Sequence, residues 1–394
     1  MNKFKYYAPT EIIFGKNVEE KVGKELIKSD ATKVLIHYGS GSVIESGLMD
    51  KVIASIEEAK IEYIMLGGVV PNPRLSKVYE GIDICKEKNV DFILAVGGGS
   101  VLDSAKAIAY GAVYEGDVWD FYIGKARVNG ALAHGNIITL AATGSETSAS
   151  SVITNEDTGE KIGVGTDFGR PEFTLMNPEL TYTLPKYQTA CGIVDIMMHT
   201  FERYFSPGGL NEMTDEIAEA VLRNTIKYGK IAMEDPCNYD ARSEVFWAGS
   251  LSHINLTGLG RMGDWACHRL EHELSGMFDV AHGAGLAAIW GAWARYVYKE
   301  DSKRFVRMGE KVFNLKLDQM DDEKAVEIVI NTVLDYFKSI EMPTSTTELL
   351  NRSLTEEEIN TMADMASKNG SKNLGGFKVL EREDMINIFK MSIS

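Results

Sequence analysis

Between residues 33 and 112, short apolar runs alternate with longer amphipathic stretches. KVLIHYG (33–39) predicts a buried strand closed by glycine, and GLMDKVIASIEEAK (47–60) follows with helical periodicity. IEYIMLGG (61–68) predicts a second strand, RLSKVYEGIDICKEKN (74–89) a helix, and DFILAVGGG (91–99) a third strand that runs straight into the helical SVLDSAKAIAYGA. Strand and helix alternating at this spacing imply right-handed parallel crossovers and an open α/β sheet. NIITLAATGS (136–145) reads as one more buried strand, and SSVITNEDTGEKIGVG (151–166) as a hairpin about a polar turn. From Pro185 onward strand signals stop and amphipathic stretches such as TDEIAEAVLRNTIKYGKIAM (214–233) take over. The pattern predicts an α/β domain over 1–185 and an all-helical domain over 186–394, with chemistry expected in a cleft between them.

Glycines after buried strands let backbone amides and a helix N-terminus approach phosphate oxygens. Gly39, Ser40 and Gly41 follow the first strand, although the third glycine of the dinucleotide fingerprint is missing and a tight βα turn explains them equally well. VGGGSVLD (96–103) is the stronger signal: Gly98 and Gly99 end a strand and Ser100 is placed to cap the next helix. ATGSETS (142–148) adds the hydroxyls of Thr143, Ser145, Thr147 and Ser148. Three such turns at the carboxyl ends of parallel strands predict a bound dinucleotide. No carboxylate stands at the end of the first or second strand, which leaves room for a 2′-phosphate and favours NADP(H) over NAD(H).

The histidines sharpen the picture. In DIMMHTFERYF (195–205), Asp195 and His199 lie one helical turn apart within an apolar stretch. His268 and His272 repeat that spacing in CHRLEHELSGMFDVAHGAG (267–285), and His282 follows. A lone helical histidine is more often a satisfied core group than a ligand, but one carboxylate with several imidazoles suits Zn²⁺ or Fe²⁺. HEL at 272–274 is no zincin motif, because Gly276 stands where its second histidine belongs. His37 and His134 receive no role.

Composition narrows the class. The chain has 394 residues, which favours two domains, and a net charge of −16, which disfavours nucleic acid and anionic membranes. No apolar run is long enough to span a bilayer, and the N-terminal residues do not form a secretion signal. Cys85, Cys191, Cys237 and Cys267 are widely separated and suit reduced thiols in a cytoplasm.

Over nearly its whole length the chain resembles the iron-containing (group III) alcohol dehydrogenases, in the branch of NADPH-dependent butanol dehydrogenases and aldehyde reductases. The resemblance rests on PTEIIFG, PNP at 71–73, GGGSVLD, TGSE, GIVDIMMHTFE and DWACHRLEHELSGMFDVAHGAGLA. It implies a Rossmann-like N-terminal domain and a helical C-terminal domain, the fold shared with dehydroquinate synthase. It also implies a metal, Fe²⁺ or Zn²⁺, held by Asp195, His199, His268 and His282, with His272 beside the nicotinamide as a candidate proton relay. Cofactor contacts are implied at Gly39, Ser40, Gly41, Ser42, Asn72, Gly98, Gly99, Ser100, Asp103, Thr139, Thr143, Thr147 and Lys161. NAD-preferring relatives often carry an aspartate where this chain has GSG, which again favours NADP(H). The implied activity is hydride transfer between NADP(H) and a primary alcohol or aldehyde such as butanol or butanal, in a cytoplasmic homodimer whose N-terminal strand lies at the interface. Trp265 and Phe278 flank the histidine segment, as an apolar substrate wall or as core aromatics. Polyol oxidation of the glycerol-dehydrogenase type is the nearest alternative. A dehydroquinate-synthase-like cyclase or lyase would need more cations than Arg261 and Arg269, and a purely structural metal protein would not need the three glycine turns.

Overall fold

Alternating apolar runs become strands where β-branched residues can pack on both faces of a sheet. In the computed structural model, which describes residues 2–142 and 144–394, eight strands form: β1 (Glu11–Phe14), β2 (Lys33–Gly39), β3 (Glu62–Val69), β4 (Phe92–Gly97), β5 (Ala133–Ile138), β6 (Ser150–Thr154), β7 (Lys161–Gly165) and β8 (Phe173–Met176). Six build one parallel sheet in the order β1-β8-β5-β4-β2-β3, and β6 and β7 form a separate antiparallel hairpin. Helices α1 (Leu48–Glu58), α2 (Leu75–Lys88) and α3 (Gly99–Ala112) follow β2, β3 and β4 in the chain. Val34, Ile36, Leu94, Val96 and Ile137 of the central strands bury against Val22, Leu26, Val52 and Ile56 of the neighbouring helices. Each such side chain contributes about 1.5–3 kcal/mol.

The sheet departs from the sequence reading in two ways. The strand expected over 136–145 occupies Ala133–Ile138, because pairing with β4 ends at Gly97 opposite Ile138. The apolar residues beyond it, Leu140 and Ala142, belong to a packed loop. Strand β8 was not anticipated: its four residues are too few to show an alternation between Pro171 and Pro178.

The order places β2 between β3 and β4, so the chain turns one way after β2 and crosses to its other side for β4. That reversal leaves a crevice at the carboxyl ends of β2 and β4, where Gly39 and Gly97 stand.

Residues Tyr7–Thr183 form one compact unit, and Leu184–Ser394 with the N-terminal residues through Tyr6 form the other. Residues 2–6 thus group with the helical unit, not with the α/β domain expected to contain them. The helical unit includes α4 (Lys186–Tyr204), α5 (Glu212–Glu234), α6 (Tyr239–His253), α7 (Ala266–Phe278) and α8 (His282–Val297). Its core is aromatic, with Phe201 stacked on Trp290 and Phe205 on Phe305. Among the described residues no helix is long and apolar enough to cross a membrane.

Candidate active site

Asp195 and His199 lie one turn apart on α4, a helix buried on nearly every side from Thr189 to Tyr204. His268 sits in the first turn of α7, and His282 is the first residue of α8. Close packing of α8 on both α4 and α7 brings them together. A Cβ on Gly283 would lie 2.2 Å from the Cys191 carbonyl oxygen, and one on Gly285 would lie 2.9 Å from Glu271 Oε1. Only glycine fits at such approaches.

The four side chains converge on one oxygen. Asp195 Oδ1 lies 3.4 Å from His199 Nδ1 and 3.7 Å from both His268 Nε2 and His282 Nε2. Asp195, His268 and His282 present donor atoms that are all within 4.8 Å of one another; His199 closes on Asp195 from the side. Asp195 Oδ1, His199 Nδ1 and His268 Nε2 are buried without a hydrogen-bond partner. Three converging polar atoms left in that state carry a desolvation penalty unless a cation fills the gap between them.

The far sides of two imidazoles are held by carboxylates that the sequence reading did not single out. His268 Nδ1–H donates to Glu202 Oε1 at 2.9 Å, and the His268 backbone N–H donates to the same oxygen at 2.9 Å. His282 Nδ1–H donates to Glu271 Oε2. A carboxylate behind a histidine fixes its tautomer and turns Nε2 toward a metal. A signal existed: Glu202 continues the 195/199 stripe one turn further along α4, and Glu271 lies one turn from His268 on α7.

Electrostatics separate the histidines. Burial pushes His268 down, but Asp195 and Glu202 outweigh it and hold the group up at about 9. Burial and the neighbouring His253, His268, Arg203 and His282 keep His199 well below the ordinary histidine range. His253, given no role by the sequence, stands edge-on to His199 with ring centres 4.3 Å apart. His272 lies at the margin, half-buried, its ring 5.8 Å from that of His282, and it forms a second cluster of donor atoms with Glu271 and His282. The Cys267 thiol is buried and pushed far up, so it is no nucleophile.

Trp265 stands at the N-terminus of α7 with φ 66°, a left-handed conformation that costs a large aromatic residue of order 1–3 kcal/mol. Its neighbours fix it there. The Asp264 backbone N–H donates to Glu202 O, and the Asp264 carboxylate accepts from the Ala266, Gly376 and Phe377 amides. The Arg203 guanidinium covers the indole at 4.7 Å, and the ring reaches both His199 and His268. Phe278 is instead covered by Arg352. Neither candidate cation of the cyclase alternative serves this cluster: Arg261 is tied to Asp215, and Arg269 is exposed.

In the α/β unit, the expected cofactor residues gather after the parallel strands. Gly39 ends β2 and Ser40, Gly41 and Ser42 follow it, Asn72 follows β3, Gly98, Gly99 and Ser100 follow β4, and Thr139 follows β5. Asn72 adopts a left-handed φ of 54°. Ser100 does not cap α3: the helix already starts at Gly99, and its N-cap is Gly98, which has no side chain to offer. No side chain therefore caps the first turn, and the Val101 and Leu102 amides bond back to Gly98 O. Thr147 is buried in the 144–150 segment, and Lys161 opens β7. Asp103 is engaged internally, accepting from Ser145 Oγ at 2.5 Å and the Val152 amide at 3.0 Å. Thr143 lies outside the described residues.

Comparison with known proteins gives the family. Residues 9–178 match the family model for iron-containing alcohol dehydrogenase, and residues 189–393 match the C-terminal model of the Fe-containing alcohol dehydrogenase family. NADH-dependent butanol dehydrogenase A of Clostridium acetobutylicum is 42% identical over 393 residues, covering 100% of both chains. The NADPH-dependent aldehyde reductase YqhD of Escherichia coli is 36% identical, over 87% of this chain and 88% of its own. Among solved structures, NADH-dependent butanol dehydrogenase A of Thermotoga maritima superposes with a TM-score of 0.96 at 38% identity, covering 100% of this chain and 99% of that one. The chain belongs to the iron-containing alcohol dehydrogenase family, and it is an NAD(P)-linked oxidoreductase of alcohols and aldehydes.

Proposed function

We propose that this chain is a metal-dependent aldehyde reductase and alcohol dehydrogenase for primary alcohols such as butanol, with Asp195, His199, His268 and His282 as the metal ligands. The observation that carries this reading is the convergence of buried, unpartnered Asp195 Oδ1, His199 Nδ1 and His268 Nε2, backed by Glu202 and Glu271. One oxygen and three nitrogens suit Fe²⁺ or Zn²⁺, and a cation there supplies Lewis-acid polarisation of a substrate oxygen. Glu202 and Glu271 keep the His268 and His282 imidazoles oriented, Trp265 walls off water on one side, and His272 holds the proton that passes to or from the substrate oxygen. The nucleotide would supply the hydride; the turns at Gly39–Ser42 and Gly98–Ser100 would hold it together with Asn72, Thr139, Thr143, Thr147 and Lys161, and Asp103 would act through the Ser145 hydroxyl that it holds.

For the nucleotide, the small turn at Gly39–Gly41 supports NADP(H). NADH is the second reading, favoured by the name of the 42%-identical relative and by Glu45, whose Oε1 lies 3.8 Å from where a Cβ on Gly41 would stand. A homodimer fits the place of β1 at the sheet edge, where it pairs only with β8 among the described residues. Four free cysteines, three of them buried, fit the cytoplasm.

The test is to load the protein with Fe²⁺ or Zn²⁺ and follow butanal reduction by the loss of reduced-nicotinamide absorbance, with NADPH and with NADH. Metal-dependent turnover of butanal is the expected result. A KM for NADPH below that for NADH would support NADP(H). The reverse order, relaxed in Glu45→Gln, would assign NADH. Nucleotide binding without turnover of butanal or glycerol would overturn the substrate reading.

A further inference from the structure

Lys106 lies on α3, seven residues after the Gly99 that opens the helix, and it is among the largest fully buried side chains of the chain. A buried ammonium is costly unless its protons are bonded. Here they are shared among five acceptors: Ser145 O (2.7 Å) and Oγ (2.8 Å), Ser148 O (3.3 Å) and Oγ (3.2 Å), and Ser150 O (2.9 Å). One turn earlier on the same helix, Asp103 grips the same segment, through Ser145 Oγ, the Val152 amide and, by its own carbonyl, Ser151 Oγ. Asn136 Nδ2 takes the Glu146 carbonyl and Arg170 Nη1 the Thr147 carbonyl.

The carbonyls of Ser145, Glu146, Thr147, Ser148 and Ser150 are thus all drawn onto donors of the α/β unit, three of them onto Lys106. Within the segment the Thr147 and Ser148 amides close back on the Gly144 and Ser145 carbonyls, and the Ser150 amide on Ser148 Oγ, so the hydroxyl-rich turn is held in one conformation. Since α3 also carries the Gly98–Ser100 turn at its start, a single rigid helix sets the distance between two of the nucleotide turns.

We propose that Lys106 is a positioning residue for nucleotide binding, whose buried ammonium clamps segment 144–150 in the conformation that receives the dinucleotide. This rests on the assignment of that segment to the nucleotide site. Burial lowers the lysine to about 8, with Asp103 and Glu146 opposing the shift and Arg170 adding to it. Retaining a charged group against that burial is consistent with the number of bonds it makes.

The experiment uses the metal-loaded full chain, with NADPH and NADH as the probes. Wild type, Lys106→Met, Lys106→Gln and Ser145→Ala are compared by direct nucleotide titration and by separate KM values for nucleotide and butanal. The expected result is a nucleotide KM and Kd raised about tenfold in Lys106→Met, with the butanal KM within about twofold of wild type. Lys106→Gln, which keeps a donor, should recover part of the loss, and Ser145→Ala, which removes one acceptor, should show a smaller rise. A merely structural lysine would lower the melting temperature and leave the ratio of the two KM values unmoved, and that result overturns the proposal. Should Lys106→Met fail to fold, Ser145→Ala decides: unchanged nucleotide binding overturns the proposal and weakened binding supports it. Wild-type protein that binds neither nucleotide would overturn the nucleotide-site assignment and this inference with it. Wild-type binding matched by all folded variants overturns this inference alone.

Discussion

Glu202 is the residue whose alteration tests the proposed metal centre most sharply without touching a ligand. It is 2% exposed, and its Oε1 accepts from both the ring Nδ1 and the backbone N–H of His268. In Glu202→Gln the amide oxygen can still accept both bonds, so the geometry survives and only the charge behind the imidazole is lost. In Glu202→Ala the same two donors are left buried without a partner, and His268 is free to rotate. Carboxylates behind metal-bound histidines are worth about 10–100-fold in affinity. The glutamine variant belongs near the lower limit, about tenfold or 1.4 kcal/mol, and the alanine variant near the upper, about 2.7 kcal/mol. The assay is competition of the apoprotein for Zn²⁺ against a chromophoric chelator, with circular dichroism to confirm folding. The same difference must appear in thermal stability at fixed free metal, since tenfold weaker binding removes about 1.4 kcal/mol of ligand-linked stabilisation. If both folded variants hold the metal within about twofold of wild type, Glu202 does not orient a ligand, and His268 loses its place in the centre.

Four further outcomes are expected. His37 donates from Nδ1 to Leu66 O and accepts at Nε2 from Ser104 Oγ, and burial depresses it to about 4. Its contribution to stability is intact above the unfolded-state value of about 6.5 and lost as pH falls from there to about 4, up to roughly 3 kcal/mol, so urea midpoints should decline less over this window in His37→Asn than in wild type. Gly283→Ala would drive a methyl into the Cys191 carbonyl, costing about 1–3 kcal/mol or more and displacing His282, so both melting temperature and turnover should fall; an active variant of unchanged stability would refute the close packing. Asp195→Ala should abolish metal retention, read by elemental analysis after gel filtration, while nucleotide binding persists. Of four cysteines only Cys237 is exposed, so native protein should present one rapidly reacting thiol to a chromogenic disulfide and four after denaturation.

The sequence made the α/β half legible because β2 and β4 are apolar runs closed by glycine, the signature that burial on both faces of a parallel sheet leaves, and because β3, a partly exposed edge strand, is still an apolar run ending in glycines. It was misleading where burial has another cause. Leu140 and Ala142 extend the β5 run in the sequence, yet they are packed as a loop, and periodicity cannot separate a buried loop from a buried strand. In the helical unit, the 195/199 and 268/272 spacings exposed the histidine cluster, since facing residues on a helix recur every three or four positions. The glutamates behind the histidines stayed hidden because a helical glutamate ordinarily points to water. Only the packing of α7 and α8 against α4 reveals that Glu202, Glu271 and Asp195 are all nearly inaccessible. Asp103 shows the reverse: its position matched a cofactor residue, but its carboxylate is spent on Ser145 and Val152.

The buried charges give an independent reason for a cation in the helical unit. Asp195, Glu202 and Glu271 are three carboxylates almost wholly removed from water within one cluster, and among the described residues Arg203 is the guanidinium buried beside them. Arg203 itself is committed to the His199 and His253 carbonyls, and burial lowers it to about 10. Desolvating a carboxylate without compensation costs several kcal/mol. The chain responds in two visible ways: His268 is held up at about 9 between two of the carboxylates, and neighbouring Asp264 is pushed up to about 7 by burial and by Glu202. The first draws positive charge to the point where the Asp195 oxygen and the imidazole nitrogens converge, and the second removes negative charge beside Glu202, behind His268. A divalent cation would meet the same demand more fully than one proton, because it is attracted by all three carboxylates together, one directly and two through the imidazoles they brace. Hydrogen bonding and charge balance therefore select the same location, although each follows from different atoms.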